Sequence, residues 1–445
     1  MPGFKIRNYR WLIVCLLFFG TTINYLDRQV IGLLKPLLEK EFQWTETDFA
    51  RIIMAFTAAY ATGLLFFGRA IDKMGTRLGF TVSIVVWSLA AMLHAVVKTV
   101  FGFGIVRVVL GLGESGNFPA AIKAVAEWFP KKERGIATGI LNAGTSIGVI
   151  AALFIVPWIL HYYRWQEVFW ITGALGFVWL VCWLIFYHIP SKQKWITEKE
   201  FQLISREKER EKEDFGNLTE TNNGAPIKWS QLFMLPQTWA IITGKFLIDP
   251  IFWFFLFWLP SYFSSAFHLD MTKPSLPLMI IYTATTIGCI GGGYLSSGLI
   301  KKGWPAVKAR KAALLICGVC ELSILFAPFA TNIWAVVGLI SLAAAVHQAW
   351  ATNIFTLASD LFPKQVVSSV VGIAGMAGAV GGILFPVLVG YLLDAYKLKG
   401  NLTGGYNILF VICGSTYLIV WTIIHLLLRG NKKRPVIPDT GAAID

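Results

Sequence analysis

Charged side chains are scarce in this sequence. Only 14% of its 445 residues are Asp, Glu, Lys or Arg, 56% are apolar, and the mean hydropathy is +0.62. Soluble domains usually carry about 25% charged residues. The composition therefore excludes a soluble globular protein and predicts an integral membrane protein surrounded by the lipid bilayer. The net charge of +14 is explained by membrane topology, because basic residues of membrane proteins accumulate in cytoplasmic loops. We therefore expect no nucleic-acid partner.

Cysteine and histidine are also few, with six residues of each type. All six cysteines lie in apolar runs, which excludes a disulfide framework, and the pair Cys317 and Cys320 is interpreted as two small apolar side chains. The histidines are scattered and form no metal-binding pattern, and no glycine-rich run is followed by the Lys-Ser/Thr of a phosphate loop. We therefore expect no metal, no cofactor and no enzyme activity.

Long apolar windows make up most of the chain. A helix needs about 20 apolar residues to cross a hydrocarbon layer about 30 Å thick. The sequence predicts an all-α membrane protein with twelve transmembrane helices. The windows are 11–34, 50–68, 78–97, 100–126, 136–160, 168–189, 239–263, 276–299, 312–330, 333–355, 366–393 and 406–428.

The loops differ in basic residues from one side of the membrane to the other. Of the 39 Lys and Arg residues, one set of alternate loops holds only Lys35, Lys40, Arg51, Lys98, Arg164, Lys273, Lys397 and Lys399. Arg28, Arg107 and Lys245 lie inside spans. The other basic residues lie in the two termini or in the loops on the same side of the membrane as the termini. The positive-inside rule therefore places both termini in the cytoplasm.

The two halves of the chain resemble each other. "WFPKKERGIATGILNAGTSIG" at 128–148 aligns without gaps on "LFPKQVVSSVVGIAGMAGAVG" at 361–381, at the same place in each half. This predicts a duplicated six-helix unit related by an axis along the membrane normal. The expected organisation is an N-terminal half at 1–189, a cytoplasmic linker at 190–235 that contains the charged run "REKEREKEDFG", and a C-terminal half at 236–445.

Two motifs resemble those of the major facilitator superfamily. The loop "GRAIDKMGTR" is similar to the signature loop of that superfamily through Gly68, Asp72, Gly75 and Arg77, and "RVVLGLGES" resembles its fourth-helix motif. The resemblance implies the twelve-helix major facilitator fold, with a conformational latch at the loop on the cytoplasmic side. The second-half counterpart, "GGYLSSGLIKKG", lacks the acid, so we expect a one-sided latch.

Within that superfamily the chain most resembles the anion:cation symporters, in particular the hexuronate and other sugar-acid transporters. The stretches that carry this resemblance are "NYLDR", "GLGESGNFPAAIKAVAEWFPKKERGIATGILNAGTSIG", "KFLIDPIFWFFLFWLPSY" and "AVHQAWATNIFTLASDLFP". The resemblance implies transport of a small anionic sugar acid together with protons across a bacterial inner membrane. We also expect a monomer.

Six charged residues interrupt the spans. They are Asp27 and Arg28 in span one, Arg107 and Glu114 in span four, and Lys245 and Asp249 in span seven. Each charge at mid-bilayer costs roughly 2.5 to 3.5 kcal/mol, so such residues usually mark a transport pathway. Three salt bridges that merely fix helix packing are the structural alternative. The resemblance implies that spans one, four and seven line a central cavity.

The inventory of charges suggests a mechanism. Three cations and three carboxylates sum to zero, so one added proton leaves a net positive charge that suits a monoanion. The resemblance implies that Asp27 and Glu114 carry protons, that Arg107 pairs with Asp27 and that Arg28 binds the substrate. A guanidinium presents a fork that matches a carboxylate. Lys245 is a second expected anion contact, and neutralisation by Asp249 is the alternative role of this cation.

Hydroxyl recognition requires polar side chains around these cations. At suitable depth the sequence offers Tyr25, Tyr60, Asn117, Asn142, Thr145, His347, Gln348 and Asn353. Each one alone has helix-to-helix hydrogen bonding as its alternative role. Trp253 and Trp350 are candidates to stack on a sugar face, and Glu321 in span nine has no role in this scheme.

Three hypotheses remain open from the sequence. The first is proton-coupled symport of a hexuronate such as glucuronate or galacturonate by alternating access. The second is a uniporter or exchanger of another organic anion, namely an aldonate, aldarate, aromatic acid or phosphate-like acid. The third, an intramembrane enzyme or receptor, lacks a metal-binding pattern and retains both carboxylates that a receptor would be expected to lose.

Overall fold

The computed structural model describes residues 5–44, 46–207, 209, 229–267 and 276–429. The first half contains α1 (Tyr9–Phe42), α2 (Glu46–Met74), α3 (Thr76–Leu93), α4 (Val100–Glu114), α5 (Asn117–Trp128), α6 (Lys131–Tyr162) and α7 (Trp165–Phe186). The second half contains α8 (Trp229–Phe233), α9 (Pro236–Phe246), α10 (Asp249–Phe267), α11 (Leu276–Lys301), α12 (Ala306–Glu321), a 3₁₀ helix (Leu322–Phe329), α13 (Ile333–Leu361), α14 (Val367–Leu398) and α15 (Leu402–Leu427). Part of the predicted linker, residues 208 and 210–228, lies outside the described residues.

The described part of the chain is consistent with the twelve membrane spans that the sequence predicts. Within the described ranges, eleven helical segments are long and apolar enough to cross a membrane. The remaining predicted span is the fourth along the chain. It is divided into α4 and α5, each of which is too short to cross the membrane alone. The all-α membrane fold is therefore confirmed.

Two spans are broken where proline removes a backbone donor. Pro119 cannot donate to the Ser115 carbonyl, and α4 ends at Glu114 just before this point. Pro250 likewise cannot donate to the Phe246 carbonyl, and the seventh span divides there into α9 and α10. Both breaks lie beside charged residues of the candidate site.

Side chains satisfy several helix N-termini. The Thr99, Asn332 and Asn401 side chains accept hydrogen bonds from the first turns of α4, α13 and α15. The Glu200 carboxylate accepts from the backbone N–H groups of Tyr9 and Arg10 at 2.8 and 3.0 Å. The beginning of the linker therefore caps the first membrane helix.

The chain divides into two units. The first comprises Met1–Phe129, Ala137–Gln202 and Val367–Met376, and the second comprises Pro130–Ile136, Leu203–Val366 and Ala377–Asp445. Each unit thus takes most of one half of the sequence and a short segment of the other. Both short segments fall within the stretches that the internal repeat aligns.

In the second unit, α11 and α13 pack backbone to backbone. A Cβ atom at Gly288 would collide with the Ala345 carbonyl oxygen, and one at Gly292 would lie 2.5 Å from Cα of Ala349. The Asn353 side-chain amide donates to the Gly292 and Ala349 carbonyls, both at 2.9 Å. Small residues therefore bring the two helices together and an amide joins them.

Candidate functional site

An ion pair joins the first and fourth spans of the first unit. Nε and Nη2 of Arg28 both lie 2.8 Å from Oε2 of Glu114. The Glu114 side chain is fully buried, whereas the Arg28 side chain keeps 16% of its exposure. Glu114 is therefore paired with Arg28, the cation that the resemblance assigns to the substrate. Arg28 remains partly accessible in this pair.

Three aromatic rings surround the Arg28 guanidinium. Its Cζ atom lies 4.6 Å from the ring centroids of both Tyr25 and Tyr60, and 5.1 Å from that of Phe56. Such cation–π contacts hold a guanidinium at about 0.5 to 2 kcal/mol each. The structure thus brings together Arg28, Tyr25 and Tyr60 of the predicted substrate residues.

Asp27 and Arg107 are buried next to this pair, at 2% and 1% exposure. Neither carboxylate oxygen of Asp27 has a hydrogen-bond partner among the described residues, and the predicted Asp27–Arg107 ion pair is not formed there. Adjacent helical residues point about 100° apart, so Asp27 faces α7, where Thr172 lies near it, while Arg28 faces Glu114. Asp27, Arg107 and Glu114 lie within electrostatic range of one another, and Arg107 is also within range of Arg28.

The remaining polar residues of the first unit serve as helix contacts. The Thr145 hydroxyl donates to the Asn142 carbonyl at 2.8 Å on the same helix, and both residues are buried. The Asn117 amide donates to the Thr21 hydroxyl at 3.4 Å. Substrate contact by these side chains is still a prediction.

Lys245 and Asp249 form an ion pair in the second unit, with Nζ and Oδ2 at 2.6 Å. Lys245 lies in the last turn of α9 and Asp249 is the first residue of α10, so each charge opposes the partial charge of its own helix end. Nζ also lies 4.3 Å from the Phe355 ring centroid. The break in the seventh span therefore gives this pair a structural role, and contact of Lys245 with anions stays a prediction.

The polar residues of the second unit have mixed partners. Nδ1 of His347 lies 2.6 Å from the Tyr417 hydroxyl, and its ring stacks on Phe252. Gln348, its neighbour, is buried as well. Asn353 joins α11 to α13, and the Trp350 indole donates to the Gly244 carbonyl at 3.4 Å and is 1% exposed. Trp350 is thus packed in the core, not placed as a stacking surface.

The signature loop anchors a carboxylate in the first unit. Asp72 pairs with Lys123 at 2.8 Å and accepts hydrogen bonds from the backbone N–H groups of Ser368 and Ser369 at 3.3 and 2.7 Å. Those N–H groups belong to the first turn of α14, which attracts negative charge.

Glycine and arginine of the same loop have separate tasks. Gly75 has φ +84°, which only glycine adopts readily, and it ends α2. A Cβ atom at Gly68 would lie 2.5 Å from the Ser368 carbonyl oxygen. Arg77 donates to the Leu184 carbonyl at 2.6 Å and not to Asp72.

The second unit has a charged cluster that the sequence analysis missed. Asp360 accepts from Nε of Arg310 at 3.0 Å and lies 3.3 Å from Nη1 of Arg134, and all three side chains are at most 1% exposed. Arg310 also donates to the Ser296 hydroxyl and to the Lys131 carbonyl. The repeat contained the signal, because its offset aligns Arg77 with Arg310 and Glu127 with Asp360. The one-sided latch is inferred from the loop motif alone, and it stays a prediction.

The described residues contain no group of three or more His, Cys, Asp or Glu side chains able to hold a metal ion. Twelve spans with paired and unpaired charges buried inside each unit define a membrane transport protein. Residues 17–386 match the model of the Major Facilitator Superfamily, and the chain belongs to that superfamily. It is a transporter and not an enzyme.

Its relatives include several sugar-acid transporters. The chain is 29% identical to the hexuronate transporter of Escherichia coli (strain K12) over 427 residues, which cover 95% of each chain. It is 31% identical to the galacturonate transporter of Dickeya chrysanthemi over 66% of this chain and 83% of that one. It is 27% identical to a probable galactarate/D-glucarate transporter of Escherichia coli (strain K12) over 97% and 95%.

A solved structure has the same fold. The proton:xylose symporter XylE, bound to 6-bromo-6-deoxy-D-glucose, matches with a TM-score of 0.72 at 14% sequence identity, over 94% of this chain and 96% of that one. The major facilitator fold that the sequence resemblance implied is therefore confirmed.

Proposed function

We propose that this protein is a proton-coupled symporter of an anionic sugar acid, with a hexuronate such as glucuronate or galacturonate as its substrate. Its relatives at 29% and 31% identity bear the names hexuronate transporter and galacturonate transporter. The proposal places it as a monomer in a bacterial inner membrane with both termini in the cytoplasm. The halves at 1–189 and 236–445 alternate access to the substrate, joined by the linker at 190–235.

The Arg28–Glu114 pair carries this proposal. An ionised Glu114 occupies the guanidinium at 2.8 Å and competes with any other carboxylate. Protonation of Glu114 removes its charge, so Arg28 becomes available to a substrate carboxylate between the Tyr25 and Tyr60 rings. Release of the anion restores the competition and expels the proton, which is the reciprocity that linkage requires.

Asp27 supplies a second protonation event in this scheme. It is buried without a hydrogen-bond partner among the described residues, and it lies within electrostatic range of Glu114 and Arg107. A proton on Asp27 removes one negative charge near Glu114. Arg107 then balances the negative charge of Glu114. Lys245 serves as the anion contact of the second unit once a substrate carboxylate or hydroxyl competes with Asp249.

We also propose that the signature loop acts as the conformational latch of this cycle. Asp72 and Gly68, with Gly75 and Arg77 shaping the loop, hold the beginning of α14 in one state of the cycle. Loss of the Asp72 contacts to Ser368 and Ser369 then accompanies the opposite state.

Uptake into proteoliposomes tests the proposed function. Labelled glucuronate and galacturonate are offered with and without an imposed inward proton gradient, and a sodium gradient serves as the control for the coupling ion. We expect accumulation only with the proton gradient. Equal uptake in all conditions would replace symport with uniport.

A second candidate substrate class is the aldarates. The relative at 27% identity is named a probable galactarate/D-glucarate transporter, and an aldarate carries two carboxylates. Accumulation of galactarate or glucarate without uptake of either hexuronate would favour this class, and aldonates and aromatic acids complete the panel.

A further inference from the structure

Glu321 is a buried acid that the mechanism above does not use. It is the last residue of α12, its exposure is 0%, and neither of its carboxyl oxygens has a hydrogen-bond partner among the described residues. The chain continues from it into the 3₁₀ helix, so the acid lies where the helix narrows. None of the ion pairs in the described part of the chain includes it.

The packing of α15 places Tyr417 beside this acid. A Cβ atom at Gly318 would lie 3.0 Å from the Leu418 side chain, and one at Gly414 would lie 3.1 Å from Ile324. Glu321 lies between Gly318 of α12 and Ile324 of the 3₁₀ helix along the chain, and Tyr417 lies between the contacting positions of α15. Both side chains are completely buried, so they share the same helix interface.

Tyr417 in turn connects this interface to the candidate anion contact. Its hydroxyl lies 2.6 Å from Nδ1 of His347 on α13. His347 lies within electrostatic range of Lys245, which pairs with Asp249 at 2.6 Å. A series of buried polar groups thus leads from Glu321 across the second unit.

The other titratable groups around Glu321 are thiols and phenols. Cys317 and Cys320 lie on its own helix, and Cys413 and Tyr417 lie on α15, and three of these groups are within electrostatic range of the acid. An ionised carboxylate without a partner costs several kcal/mol in such surroundings, and neutralisation is the usual response. Cysteine and tyrosine supply hydrogen-bond donors and acceptors but no compensating positive charge.

We propose that Glu321 is a proton-binding site of the second unit, held as the neutral acid beside the Tyr417–His347 hydrogen bond. Its ionisation would place a negative charge next to Tyr417, draw the hydroxyl proton toward the carboxylate and weaken the bond to His347. The anion contact at Lys245 would change with it. This consequence rests on the proposed function, whereas the protonation state of Glu321 does not.

Infrared spectroscopy of the purified protein in lipid tests the site without transport. A buried neutral carboxylic acid gives a C=O stretching band that an ionised carboxylate lacks. We expect wild type to show such a band at neutral pH that fades toward alkaline pH, Glu321→Gln to lack it at every pH, and Glu321→Asp to keep a shifted one. Identical bands in wild type and Glu321→Gln would overturn the proposal.

A matched pair of tyrosine variants tests the contact. Tyr417→Phe removes the hydroxyl beside the acid, and Tyr406→Phe removes a hydroxyl from the same helix within a separate aromatic cluster. We expect Tyr417→Phe to shift the Glu321 band and Tyr406→Phe to leave it in place. A band that neither variant shifts would remove Tyr417 from the site.

Uptake kinetics then test the consequence for transport. Coupled sites typically alter affinity by about 5- to 150-fold, so we expect the KM of wild type to rise about tenfold toward alkaline pH and that of Glu321→Gln to rise less. Equal pH profiles for the two proteins would show a proton site without influence on the substrate. If wild type takes up no sugar acid, the proposed function fails while the infrared result still decides the site.

Discussion

Glu114→Gln separates the proton from the anion in the proposed cycle. The substitution keeps the shape of the side chain and a carbonyl oxygen within reach of Arg28, but removes the negative charge. In the structure this charge is fully buried: Oε2 accepts a hydrogen bond from Nε of Arg28 at 2.8 Å, and Nη2 lies at the same distance. The variant therefore mimics a permanently protonated Glu114.

The expected magnitude follows from the hydrogen bonds that change. Hydrogen bonds to charged groups contribute about 1.5 to 3 kcal/mol and neutral ones about 0.5 to 1.5, so the variant weakens the hold on Arg28 by about 1 to 1.5 kcal/mol. A substrate carboxylate gains that difference when it displaces the side chain. The affinity for a hexuronate at alkaline pH should rise about tenfold above that of wild type.

Two assays examine this expectation. Calorimetric titration of the detergent-solubilised protein with glucuronate gives the affinity at acidic and alkaline pH, and wild type should lose more affinity toward alkaline pH than the variant does. In proteoliposomes the variant should lose accumulation driven by a proton gradient and retain counterflow exchange. Accumulation at the wild-type level would refute the role of Glu114 as a proton carrier, and unchanged affinity at alkaline pH would refute its competition for Arg28.

Three further substitutions give separate tests. Arg28→Lys should raise the KM for the anion about tenfold, since an ammonium cannot form the two parallel bonds of a guanidinium, and an unchanged KM would argue against a bidentate contact. Asp360→Asn should lower stability by about 3 kcal/mol because two buried arginines lose their carboxylate, and thermal unfolding beside the exposed control Asp394→Asn measures it. Gly68→Ala should slow transport because its Cβ would lie 2.5 Å from a carbonyl oxygen, whereas Gly32→Ala, with nothing within 4 Å, should not; equal rates would remove the close contact from the cycle.

Much of the fold is predictable because the length and apolar composition of each window are enough to identify a membrane-spanning helix. The twelve spans required no knowledge of their neighbours, only the thickness of the hydrocarbon layer. The partners of buried charges are another matter. Helical periodicity gives the face of α1 on which Arg28 lies. Which acid pairs with which arginine depends on the helix that lies opposite, and the sequence does not show this. For this reason Arg28 pairs with Glu114, and the expected Asp27–Arg107 pair is not formed among the described residues.

The cluster around Asp360 shows the same limit from the opposite side. Its two arginines come from stretches far apart in the chain, so no local motif reveals them. Only the internal repeat, which aligns Asp360 with Glu127, connects the positions. Asn353 likewise has the residue type of a sugar ligand, and its helix-joining role becomes visible only with the α11 backbone beside it.

The close packing of α11 on α13 also restricts how the second unit can move. With carbonyl oxygens of one helix against Cα atoms of the other, and an amide across the seam, there is no layer of side chains that could slip or change rotamer. We therefore expect the two helices to move together as one rigid body. In the proposed cycle we therefore expect His347 on α13 to keep its distance from α11, so that any change in its surroundings comes from the movement of other helices toward or away from it.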